Sequence, residues 1–201
     1  MSSPRIPAEV VRSDADRLLH FNRLLIDQAL SLVDAHEEVP AAPAYGEYVG
    51  PHLRHVIEHY EALLLRDADG ELDYDQRPRD GALDQSPGLA QVRLRALKQH
   101  LDGAAAYAMD RPILVRGQGG VTGEFDFAMR SSIGRELVFV ASHAIHHFAL
   151  LRLHCQQHGI PTDPDFGRAP STVAHAMAVT SCTPSIEPRK ELACLTVPSA
   201  A

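Results

Sequence analysis

The strongest constraint on this chain is an interval of three and four residues between apolar side chains, the period of a helix buried along one face. From Ala8 to about His36 the residues Val11, Leu18, Leu19, Leu25, Ile26, Leu30 and Val33 keep that interval between Pro7 and Pro40. Val49, Leu53, Val56, Ile57, Tyr60, Leu63 and Leu64 repeat it from Tyr45 to about Arg66, with an irregular turn or kink expected at Gly50-Pro51. Ser86-Pro87 reads as an N-cap followed by a first-turn proline, and Leu89, Val92, Leu94, Leu97, Leu101 and Ala105 then carry a third stripe to about Asp110. A fourth helix is expected from Ser131 or Ser132 through Leu137, Val140, Ala144, Leu150, Leu151 and Leu153, ending at Gly159 and Pro161.

The connections carry different signals. Asp67 to Gln85 is rich in Asp, Gly, Arg and Pro without apolar periodicity, which predicts a long surface crossover. Ile113-Leu114-Val115 and Phe125-Asp126-Phe127 flank Gly117-Gln118-Gly119-Gly120, which predicts a small hairpin between Pro112 and Met129. A short helix is expected around Ser171 to Val179, then a proline-punctuated tail. These readings add up to an all-α fold: a four-helix bundle with a small β-hairpin insertion between helices three and four. It fills one domain over residues 1–180, with residues 181–201 as an extended or disordered tail. Ferritin-like di-iron chemistry is excluded, because that site needs two Glu-x-x-His motifs and the chain contains none.

Charge and cysteine usage narrow the function classes. The net charge of −7 opposes binding to phosphate backbones or anionic lipid, so neither nucleic acid nor a membrane surface is expected as a partner. No apolar run approaches the roughly 18 residues of a membrane span. Cys155, Cys182 and Cys194 form no CxxC pair, and Met1 to Arg5 lacks a signal pattern, so a cytoplasmic location is expected.

Twelve histidines are the compositional anomaly. His52, His55 and His59 fall about one turn apart on the second helix, with Glu58 among them, and His143 and His147 share a face of the fourth, with His146 rotated off it. An HxxxH pair can chelate one ion, and one histidine of the second helix plus the pair on the fourth gives the three protein ligands of an open catalytic site. Spacing alone leaves ordinary core or surface histidines equally open. The pair His154 and His158 lies too far along the axis, roughly 16 Å from His143 for a straight helix, and fits an interaction with the helix C-terminus.

Other residues have plainer readings beside functional ones. Glu136, seven residues before His143, could orient a ligand or act as a base, or cap the helix at the surface. Arg77 and Arg79 could grip an anionic group or pair with Asp73, Asp75 or Asp80. Ser171 and Thr172 suit a cap, Cys155 a small buried group, and Gly117 to Gly120 lacks the Lys-Ser/Thr of a phosphate loop.

The segments Val49 to Tyr60, Asp73 to Asp80, Arg135 to His147 and Asp165 to Thr172 together resemble the DinB/YfiT-like superfamily of damage-inducible four-helix bundles. The resemblance spans about residues 45–173 and implies an up-down-down-up bundle. It also implies a divalent metal on His55, His143 and His147, with zinc foremost and nickel, iron or manganese as alternatives. His52 and His59 flank the first ligand position and either could replace it. Glu58 stands where the family commonly has Asp, three residues after that ligand, and Glu58 and Glu136 are the candidate catalytic carboxylates.

The same resemblance implies a small-molecule substrate, with a low-molecular-weight thiol as one option, since the superfamily includes transferases and isomerases that use mycothiol or bacillithiol. It also includes the metal-binding domain of sulfoxide synthases, whose further catalytic domain has no counterpart after residue 173. The expected function is that of a metal-dependent hydrolase or thiol transferase, in which the ion activates water or a thiolate. A non-catalytic metal-binding or stress-response bundle is the alternative, and a homodimer the expected assembly.

Overall fold

Ser13 starts the first described helix with a reciprocal cap: its hydroxyl accepts from the Asp16 N–H at 3.1 Å, and the Asp16 carboxylate accepts from the Ser13 N–H at 3.1 Å. The structure, a computed structural model, describes residues 13–65, 70–103 and 108–181. Its helices are α1 (Asp14–Glu37), α2 (Val49–Leu65), α3 (Gly81–Gln85), α4 (Pro87–Gly103), α5 (Ile133–His158) and α6 (Pro170–Ser181), with a 3-10 turn at Tyr45–Glu47 before α2. Its strands are β1 (Glu71–Asp73), β2 (Pro112–Gly119) and β3 (Phe125–Ser132).

The chain divides into two compact units, residues 1–169 and 170–201. In the first, α1 packs on α4 and α5, and α2 packs on the same two helices from the other side. Their apolar stripes bury Leu25, Ile26, Val33, Leu53, Ile57, Leu94, Leu101, Leu137 and Val140 almost completely. Each such side chain contributes about 1.5–3 kcal/mol relative to exposure. One polar pair belongs to this core: Tyr60 donates to Asn22 Oδ1 at 2.8 Å, and Asn22 donates to the Leu18 carbonyl at 2.8 Å, so neither is buried unsatisfied. The second unit is represented by α6, which opens on Pro170 in the first turn, where a missing N–H costs nothing.

The expected all-α four-helix bundle is corrected here to six helices and a three-stranded mixed sheet among the described residues. The reason lies in the crossover. Its polar composition predicts a surface loop, but a three-residue strand needs only one inward side chain, and Leu72 supplies it at 2% exposure. β1 pairs parallel to β2, with Glu71 opposite Leu114 and Asp73 opposite Arg116. β2 pairs antiparallel to β3 from Pro112 opposite Ser132 to Gly119 opposite Phe125, a ladder three residues longer than the hairpin expected from sequence. The short helix α3 likewise needs only Leu83 in the core and the Asp80 side chain accepting from the Ala82 N–H.

Other boundaries shift for local reasons. Gly50-Pro51 lies in the first turn of α2, which runs as one helix from Val49 to Leu65. A Cβ on Gly50 would stand 1.8 Å from the Asp84 carbonyl oxygen, so glycine is what lets α3 approach. Ala108 to Asp110 are non-helical, so α4 does not extend to Asp110. The expected stretch Ala8 to Arg12, Arg66, Ala105 and residues 182–201 of the tail, with Cys182 and Cys194, lie outside the described residues. No described helix is long and apolar enough to cross a membrane.

Candidate metal centre

On α2, Leu53, Val56, Ile57 and Tyr60 turn into the core, which leaves His52, His55 and His59 on the flank facing α5. The four-residue interval on α5 brings His143 and His147 to the same seam. His55 Nε2 lies 2.8 Å from His143 Nε2, and the donor atoms of His55, His59 and His143 all fall within 4.8 Å of one another. His147 joins by ring contact, at centroid distances of 4.6 Å from His55 and 4.7 Å from His143, while its Nδ1 sits 2.9 Å from His52 Nδ1. Of the three ligands implied by the resemblance, His55 and His143 therefore converge with His59, while His147 pairs with His52.

The tautomer of His59 follows from its partner. Its Nδ1 is 2.7 Å from the His55 carbonyl oxygen, which only accepts, so Nδ1 carries the proton and Nε2 keeps a lone pair. This arrangement, a backbone carbonyl holding one ring nitrogen and freeing the other, orients metal-ligating histidines. Burial pushes His55 and His59 down to about 3 and His147 to about 4, and lowers His143 and His52 as well; neighbouring imidazoles add to this because two charged rings repel, and the Arg77 guanidinium adds to it at His55, His59 and His143. The cluster is neutral at physiological pH, the state in which imidazole is a ligand.

The surrounding walls come from the crossover, the hairpin and the start of α5. Tyr74 stacks on His59 at 5.2 Å, and Phe139 stacks on His143 at 5.7 Å. Glu136 is 6% exposed, not at the surface. Tyr74 donates to its Oε2 at 2.9 Å and Ser131 to its Oε1 at 2.6 Å. Glu58 is 2% exposed and holds the crossover: its Oε1 accepts from the Asp80 N–H at 2.8 Å, and its Oε2 lies 3.9 Å from Arg77 Nε. Arg77 donates to the Tyr74 carbonyl and reaches the imidazoles, with Nη1 3.3 Å from His59 Nε2 and Nη2 3.5 Å from His55 Nδ1. A cavity of about 510 Å³ opens beside these residues, lined also by Phe127, Arg116 and Arg135.

Tyr74, Ser131, Phe139 and Arg135 were not singled out in the sequence as parts of a site. Ser131, Phe139 and Arg135 lie where the hairpin's return strand ends and α5 begins, while Tyr74 lies in the crossover, which has no apolar period. His154 contacts His158 and stacks on Tyr48, whose ring also meets His52, and Cys155 is buried, its thiol pushed up to about 11 by burial.

No protein-family model matches the chain, and no solved structure matches it. It is 29% identical over 104 residues to FK506-binding protein 5 of Rhizopus delemar, a match covering 52% of this chain and 27% of that protein. The resemblance to the DinB/YfiT-like superfamily is overturned by these findings, because the short motifs that carried it occur without a family match and the similarity found has a different name. The terms hydrolase and thiol transferase, which rested on it, lose their support as well.

Proposed function

We propose that this chain binds one divalent ion on His55, His59 and His143, zinc foremost with nickel, iron or manganese as alternatives, and acts through it on a small-molecule substrate. The supporting observation is the convergence of three neutral imidazole donors within 4.8 Å at the edge of a cavity of about 510 Å³. Imidazole suits all four ions, and three protein ligands leave coordination positions open. An ion held there supplies Lewis acidity, lowering the pKa of a coordinated water toward neutrality.

The chain's own residues divide the remaining work. His59 is held in its ligand tautomer by the His55 carbonyl. Phe139 fixes the plane of the His143 ring by stacking. Glu136 is the cavity's proton acceptor, its carboxylate steered by the Tyr74 and Ser131 hydroxyls. Glu58 positions Arg77 and the crossover rather than meeting substrate. The buried, unpaired Cys155 accords with a cytoplasmic location.

Water-proton relaxation of the manganese-loaded protein tests the open coordination position. Strong enhancement that disappears in His143→Ala is expected. Manganese bound without enhancement would contradict a reactive centre and leave a closed, non-catalytic ion site. A second reading rests on the sequence match: the relative is named for binding FK506, and saturable binding of FK506 to this chain by calorimetry would favour it.

A further inference from the structure

The cavity's charged groups are unequally engaged. Asp75 accepts the Gln118 N–H at 2.9 Å, and Glu136 accepts two hydroxyls. Arg116 is held by Glu71 through two contacts of 2.8 and 2.9 Å. Arg135 has no hydrogen bond or ion pair from its guanidinium among the described residues, and Arg77 Nε is buried with no hydrogen-bond partner. In a chain of net charge −7, the spare hydrogen-bonding capacity of this cavity is cationic.

Arg77 gains further donors when the centre is loaded. The His59 Nε2 lone pair can accept from Arg77 or bind an ion, but not both. If His55 ligates through Nε2, its proton must sit on Nδ1, which turns the atom facing Arg77 Nη2 from acceptor into donor. Loading therefore strips the guanidinium of two acceptors and leaves it the Tyr74 carbonyl and the Glu58 carboxylate, 3.9 Å from Nε. A half-buried guanidinium with unmet donors is costly, and a planar fork of N–H groups matches two oxygens of one anion.

Building on the metal reading above, we propose that the cavity receives the oxyanion end of a small substrate on Arg77 and Arg135, and that an ion on the histidines frees Arg77 for that contact.

The test is calorimetric titration of inorganic phosphate into the full chain, nickel-loaded and nickel-free, with nickel content measured on each sample. The wild type, Arg77→Gln and Arg135→Gln are compared. Expected are saturable binding by the loaded wild type, a loss of roughly tenfold or more in either variant at unchanged nickel content, and weaker binding by the nickel-free wild type. Phosphate bound equally by both variants is held by the ion alone and overturns the proposal, as does a loaded wild type that binds none. Those results leave the metal reading intact. A wild type that takes up no nickel contradicts the metal reading and this inference with it. Arg135→Gln alters an exposed side chain, so the test stands even if Arg77→Gln does not fold.

Discussion

At the residue scale the histidines set both the chemistry and the pH behaviour. His55 and His59 titrate at about 3 and His147 at about 4 in the folded chain, against 6.5 for free imidazole, chiefly because burial disfavours the charged ring. The folded pKa is depressed, so between those values the unfolded chain binds more protons. Their neutral burial costs no stability above pH 6.5, and stability is lost as the pH falls through the window down to about 3–4. The denaturation midpoint of metal-free protein should therefore drop between pH 7.5 and 4.5, and the drop should shrink in the His55→Ala, His59→Ala double variant. Equal drops in both proteins would show that other groups control acid sensitivity. The sequence disclosed His55 and His143 because helical spacing is a direct readout of shared faces. It could not disclose that Arg77, Tyr74 and Glu136 meet them, since the crossover has no period and Glu136's partners come from other elements.

At the element scale α2 and α5 supply the ligands, and the crossover and hairpin enclose them. Gly167 anchors the loop after α5: its φ is 68°, and a Cβ there would meet the Phe148 carbonyl at 2.5 Å. Gly167→Ala should cost about 1–3 kcal/mol from the left-handed backbone alone, with more from the collision, read as a lower denaturation midpoint at unchanged secondary structure. An unchanged midpoint would mean the loop does not pack on α5 in this way. On the hairpin the Phe127 ring covers Gly117, where a Cβ would come within 2.8 Å of it. Gly117→Ala should displace Phe127 from the cavity wall and weaken phosphate binding to the loaded protein more than nickel binding. The long helices were legible because each repeats its apolar interval over four turns or more. β1 and α3 were not, because one buried leucine apiece, Leu72 and Leu83, is enough to dock them and one residue makes no pattern.

At the scale of the whole molecule, an ion that binds only the folded chain stabilises it by mass action, about 2.7 kcal/mol at one hundred times the dissociation constant. Adding zinc or nickel should raise Tm in the wild type and not in His143→Ala. A rise of equal size in both would place the ion elsewhere, the neighbouring pair His154 and His158 being the obvious alternative. The central claim is that His55, His59 and His143 hold one ion between α2 and α5. Elemental analysis of the untagged protein after metal loading tests it most directly, with wild type set beside His55→Ala, His59→Ala, His143→Ala and His52→Ala. The account predicts about one ion per chain in wild type and His52→Ala and a loss of the ion in the other three. No ion in the wild type, or a full complement in those three variants, would contradict it.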